Sequence, residues 1–172
     1  MHRVVIVGFP GLQPLDVVGP HEVFAGANRG LEPARRYEIE IVARRPGPLE
    51  GESGLALHAA TLGAPDGIGT LLLPGGGGVV TACEDEALVD WIRRAAEGAG
   101  RVATVCSGTF LAGAAGLIDG RRVTTHWARA ERLAARHPLA VVDPDPIHLR
   151  DGDLWTSAGV TAGIDLALAL VE

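Results

Sequence analysis

Arg101-Val-Ala-Thr-Val-Cys106-Ser-Gly-Thr-Phe-Leu-Ala-Gly-Ala-Ala-Gly116 is the stretch around which the rest of the chain is organised. Its first part is short, apolar and rich in valine, which predicts a buried strand over 102–105. Its second part is small and apolar with a threonine near its start, which predicts a buried helix over 107–115. Cys106 sits at the join. A residue in a tight strand-to-helix turn is strained, with its side chain pushed outward toward the first helical N–H groups. Those donors favour an anion, so the thiol is expected to ionise more easily than a free one. Two readings of Cys106 stay open on this pattern: a nucleophile, or a buried structural cysteine.

Working outward, the chain alternates strands and helices. Residues 4–7 form an apolar run ending at Gly8, the mark of a strand covered on both faces. Residues 13–27 read as helical but interrupted near Gly19-Pro20, where proline breaks the hydrogen-bond ladder. Strands follow over 37–42 and 69–73, with a short hairpin strand over 55–58. An amphipathic helix follows over 84–96, opened by acids and carrying Leu88, Val89, Trp91 and Ile92. Beyond Cys106 come a turn at 117–120, a strand over 122–125 and an Arg-rich outer helix over 128–137. Short strands at 141–142, 147–149 and 154–156 lead into an apolar helix over 159–172. The alternation implies an α/β fold: a three-layer sandwich with a mostly parallel sheet and helices on both faces.

In such sheets ligands bind outside the carboxyl ends of the strands. Asp16 follows the first strand, the run Gly75–Gly78 follows the strand ending at Leu73, and Cys106 follows the strand ending at Val105. All three are therefore expected on one edge. Four glycines read either as a flexible turn or as a close-approach loop whose Gly76 or Gly77 N–H, with that of Ser107, forms an oxyanion hole. Asp16, amid Leu15 and Val17-Val18, reads as a helix cap. Beside a thiol it reads instead as a carboxyl of raised pKa sharing a proton with it. His126 could reach the same edge, or be a core histidine satisfied by a carbonyl.

Composition sets the outer bounds. At 172 residues the chain is one domain, 47% hydrophobic and 21% charged. A net charge of −6 argues against a phosphate-neutralising surface, and the arginine pairs 35/36, 44/45, 93/94 and 121/122 are scattered. Two cysteines cannot build a disulfide framework, so a cytoplasmic location is expected. No stretch approaches a bilayer span. No cofactor and no metal are expected.

The motifs together are similar to the DJ-1/PfpI superfamily, the class I glutamine-amidotransferase-like fold. They are Phe9-Pro-Gly with Leu15-Asp16-Val-Val-Gly-Pro-His-Glu-Val-Phe24, Leu72-Leu-Pro-Gly-Gly-Gly77 and Val105-Cys106-Ser-Gly-Thr109. The run from Ala115 to Trp127 and that from Asp151 to Asp165 complete them. The turn at Cys106 resembles a hydrolase nucleophile elbow, although Thr104 stands where a glycine is usual.

Two subgroups share these motifs: the amidase-like domain of AraC-type transcription regulators, and isocyanide hydratase, which uses a Cys and an upstream Asp. The resemblance implies a flavodoxin-like fold, Cys106 and Asp16 as the reactive pair, and Gly76, Gly77, Ser107 and His126 around the pocket. The function expected is a small-molecule sensor domain of an AraC-type regulator; the alternative is a stand-alone Cys-dependent hydratase or hydrolase. Ser107 departs from the Thr usual in the hydratase. The expected partners are an unknown effector or substrate and a second copy in a homodimer. DNA would be reached only through a domain not present in these residues, so a fragment of a longer chain is expected.

Overall fold

The computed structural model describes residues 1–171; Glu172, the last residue of the expected closing helix, lies outside the described residues. In chain order the elements are β1 (His2–Val7), α1 (Pro14–Ala27), β2 (Tyr37–Ala43), β3 (Gly47–Glu50), β4 (Ala56–Thr61) and β5 (Thr70–Leu73). They continue with α2 (Val79–Glu84), α3 (Glu86–Gly98), β6 (Arg101–Thr104) and α4 (Gly108–Ala114). The last are β7 (Arg122–Val123), α5 (Ala130–Arg136), β8 (Val141–Val142), β9 (His148–Asp151), β10 (Leu154–Ser157) and α6 (Ala162–Val171).

Eight strands form one sheet in the order β3-β4-β2-β1-β5-β6-β10-β9. The inner pairings are parallel, and only the outer pairs β3/β4 and β9/β10 are antiparallel. The chain moves from β1 to β2 on one side and later returns to place β5 on the other, so strand order reverses beside β1. That reversal opens a crevice at the carboxyl ends of β1 and β5. Val4–Val7 and Leu71–Leu73 are fully buried because helices cover both faces. Helices α1 and α6 pack together, and α2, α3 and α4 form a second helical group.

Four expectations are corrected or extended. Helix α1 runs unbroken through Pro20. The lost N–H leaves only the Asp16 carbonyl without its helical donor, and packing compensates. Gly19 lies so close to α6 that a Cβ there would stand 2.8 Å from Ile164 Cγ1. The helix expected over 84–96 starts two residues later, at Glu86, because the Asp85 side chain accepts the Leu88 N–H at 3.1 Å and caps α3; a separate helix, α2, which was not expected, ends at Glu84 just before it. The expected hairpin gains a partner strand, β3, which Pro48 concealed; on a sheet edge its missing N–H costs no ladder bond. Strand 122–125 shortens to β7, paired with β8 outside the main sheet.

Candidate functional site

Cys106 occupies the turn between β6 and α4 with φ +56°, a left-handed conformation that side chains rarely adopt. The turn is held from several sides. The Cys106 N–H donates to the Ala158 carbonyl at 3.1 Å, and its own carbonyl accepts from the Thr125 hydroxyl at 2.7 Å. Gly108 packs directly on the Leu73 carbonyl oxygen, leaving no room for a Cβ. Gly75 is equally pressed: a Cβ there would meet the Ser107 nitrogen at 2.6 Å. The chain thus spends two glycines to seat one cysteine.

Asp16 sits in the first turn of α1, fully buried. It is not the cap of that helix: the Gln13 side chain accepts the Leu15 N–H at 3.3 Å. Instead Asp16 Oδ2 accepts the Gly75 N–H at 2.9 Å, across 59 residues of sequence. Its other oxygen, Oδ1, is buried without a hydrogen-bond partner among the described residues. Burial lifts the carboxyl to about 7; the Gly75 bond and the neighbouring Cys106 thiol work against that, and the Glu52 charge adds to it.

The thiol moves the other way from expectation. Burial, then the Asp16 charge, push Cys106 up to about 11, although N–H groups of Ser107 and Val160 and the Ser107 hydroxyl favour the thiolate. Helix α4 is too short, and the thiol too deeply placed beside a second acid, for the turn to produce a free thiolate. Near neutral pH the thiol therefore keeps its proton, while the carboxyl beside it is the group that exchanges one.

The glycine run follows β5 as expected, but its donors are engaged. Gly76 N–H donates to Ser107 Oγ at 3.1 Å, and Gly77 N–H donates to Glu52 Oε2 at 2.6 Å. The open oxyanion hole expected from Gly76 or Gly77 with Ser107 is therefore not formed in this state. Glu52 went unnoticed in the sequence. It arrives from the turn after β3, accepts also from Gln13 Nε2 at 2.7 Å, and carried no local signal. Val160 was missed too, yet its φ of +51° marks a strained β-branched residue beside the sulfur.

His126 is half-buried and does line the site, with Cys106, Ser107, Gly76 and Gly77, around a cavity of about 290 Å³. Its Nδ1 accepts the Ala128 N–H at 3.2 Å and its ring stacks on Trp127, so no hydrogen bond links it to Cys106. The six residues singled out in the sequence thus meet at one edge of the sheet, with Gln13, Glu52 and Val160 added.

A strained cysteine at this turn, an acid delivered from α1 and a glycine loop between them form a signature that extends through the whole chain. Residues 2–172 match the profile described as the DJ-1/PfpI family. The chain belongs to this family. The DJ-1/PfpI domain is 37% identical over 165 residues to the isonitrile hydratase of Pseudomonas putida, covering 95% of this chain and 68% of the hydratase. It is 30% identical over 162 residues to the HTH-type transcriptional regulator CdhR of Pseudomonas aeruginosa, covering 94% of this chain and 47% of the regulator. Among solved structures, a ThiJ/PfpI family protein from Pseudomonas syringae superposes with a TM-score of 0.86 at 30% identity, covering 99% of this chain and 67% of that one. Among the described residues no helix is long and apolar enough to cross a membrane, and no cluster of three His, Cys, Asp or Glu could hold a metal.

Proposed function

We propose that this DJ-1/PfpI domain adds water to a small carbon–nitrogen electrophile of the isocyanide class, with Cys106 as nucleophile and Asp16 as proton carrier. The observation that carries the reading is the Asp16 carboxyl, buried beside the thiol with one oxygen unpartnered and titrating near pH 7. Such a group has driving force in both directions at neutral pH. Simple binding requires no such group. The 37% identity to an isonitrile hydratase over 95% of the chain supports the same chemistry.

In this mechanism ionised Asp16 takes the thiol proton as Sγ attacks the terminal carbon of the isocyanide. The acid so formed passes that proton to the same carbon, leaving a thioimidate. Water then adds to the carbon; Asp16 removes one water proton and returns it to nitrogen. Collapse to the N-formyl amine breaks the carbon–sulfur bond, and the hydroxyl proton returns through Asp16 to sulfur. Ser107 and Val160 N–H groups steady the departing thiolate. A cavity of about 290 Å³ restricts the substrate to small molecules. Free thiols at both Cys83 and Cys106 suit a reducing compartment such as the cytoplasm.

The test is loss of a simple alkyl isocyanide with appearance of its N-formyl amine. Turnover is expected for the parent chain, none for Cys106→Ala, and a loss of roughly 10²–10⁴-fold for Asp16→Asn. Absence of turnover in the parent, with the fold intact, would overturn the enzyme reading.

A second reading, the effector-sensing domain of an AraC-type regulator, is favoured by one observation: similarity over 94% of this chain to 47% of CdhR. In that reading the same pocket holds an effector and DNA is engaged elsewhere. With a net charge of −6, residues 1–172 are expected to leave promoter DNA unretarded in a gel at physiological salt. Specific retardation would place a DNA surface on this domain itself.

A further inference from the structure

A second cavity opens at the same edge of the sheet, between the segments that follow β1 and β2 and the helices α2 and α3. It measures about 390 Å³ and shares no lining residue with the cavity at Cys106. Its walls are mainly apolar, with Phe9, Leu49, Ala82 and Leu88 buried. Arg44, Arg45 and Asp85 supply its charge. Being at the carboxyl ends of β1 and β2, it stands where open α/β sheets hold ligands.

The charges there are unequal. Asp85 is committed on both oxygens: Oδ1 accepts the Leu88 N–H at 3.1 Å, and Oδ2 pairs with Arg44 Nε at 3.3 Å. The terminal nitrogens of Arg44 and the whole of Arg45 have no carboxylate partner among the described residues. An apolar chamber edged by two guanidiniums, with a single committed carboxylate, selects a ligand with an apolar body and an anionic end. Guanidinium binds a carboxylate through paired, charge-assisted hydrogen bonds.

We propose that this cavity is a second ligand site, for a small apolar acid whose carboxylate reaches Arg44 and Arg45 while its body fills the space against Phe9, Leu49 and Leu88. The site is independent of the chemistry at Cys106.

Titration of the isotope-labelled chain with 2-naphthoate, followed by amide chemical shifts, tests it. Binding is expected with Kd about 1 mM or tighter, with shifts centred on residues 8–10, 43–49 and 78–88. The neutral analogue 2-naphthylmethanol is expected to bind roughly tenfold more weakly, as is 2-naphthoate to an Arg44→Gln, Arg45→Gln double variant. That variant loses only an exposed ion pair, so its fold is retained. Ala82→Phe, which fills the chamber, is expected to abolish binding while alkyl isocyanide turnover persists. Equal affinity for acid and alcohol, unchanged affinity in the double variant, absence of binding, or shifts centred on Gln13, Ser107 and His126 would each overturn the proposal.

Discussion

Asp16→Asn is expected to gain about 4 kcal/mol of stability relative to the parent protein as pH rises from 4 to 8. The carboxyl titrates at about 7 in the folded chain against a reference of 3.8. Between those values the native state holds a proton that the unfolded state has released. Parent stability therefore falls with rising pH across this window and levels off above about 7. Roughly three units at about 1.4 kcal/mol each gives the figure. Asn keeps an acceptor for the Gly75 N–H and never ionises, so the variant escapes that loss. Its buried amide costs a roughly constant 1–3 kcal/mol, which shifts the whole comparison without changing its slope. Denaturant unfolding of both proteins at several pH values measures the difference. A gap that does not vary with pH would give Asp16 an ordinary carboxyl and remove the basis for its role as proton carrier. The same variant is expected to lower the Cys106 pKa from about 11, since the Asp16 charge is one of the causes holding it there. Thiolate absorbance with Cys83 replaced would show it. Stability is thus lost at the position where chemistry needs a titrating group.

Gly108→Ala is expected to cost about 3 kcal/mol or more and to disable the thiol. The added Cβ would run into the Leu73 carbonyl oxygen at the end of β5, with the Pro74 carbonyl 2.9 Å away. Backbone cannot rotate aside as a side chain can, so either α4 moves off the sheet or β5 and β6 part. Both displace Cys106. Gly98→Ala is the control: it lies at the end of α3 with nothing within 4 Å of its Cβ position. Alanine there is expected to be neutral or to stabilise by up to about 1 kcal/mol. Unfolding free energies from urea titration of the two variants should shift in opposite directions or differ by several kcal/mol, with midpoints displaced accordingly. Equal midpoints would mean that the turn relaxes freely, and the close seating of Cys106 would carry no energetic weight.

Where local pattern alone decides structure, the sequence was legible. Residues 4–7 and 71–73 are continuous apolar runs because their strands are covered on both faces, and that signal needs no partner to be read. Helix α3 showed its apolar stripe, and Cys106 stood at a strand-to-helix join. The shared edge of Asp16, Gly75–Gly78 and Cys106 followed from the alternation itself, since parallel strands joined by helices direct every such loop to one side. Where sequence reasoning failed, a distant contact outweighed a local preference. Pro20 reads as a break, but α6 packs so closely on Gly19 that the helix carries through. Pro48 hid a strand because its edge position, where proline is harmless, is a property of the assembled sheet.

The sequence by itself determined the layered α/β architecture, the placing of a cysteine at its central turn and the convergence of an acid and a glycine loop upon it. Each of these is read from local patterns a few residues long, repeated along the chain. Only the tertiary structure decided how those groups behave. Glu52 takes the Gly77 N–H from 25 positions away and Ser107 takes that of Gly76 from 31, which closes the expected anion hole. Asp16 is drawn into the dry interior by Gly75 and titrates near 7, and its charge, with burial, drives the thiol upward where the isolated turn would have driven it down. The reason is physical: periodicity and turn chemistry act along the chain, whereas desolvation and the field of a neighbouring charge depend on what lies within a few ångströms in space.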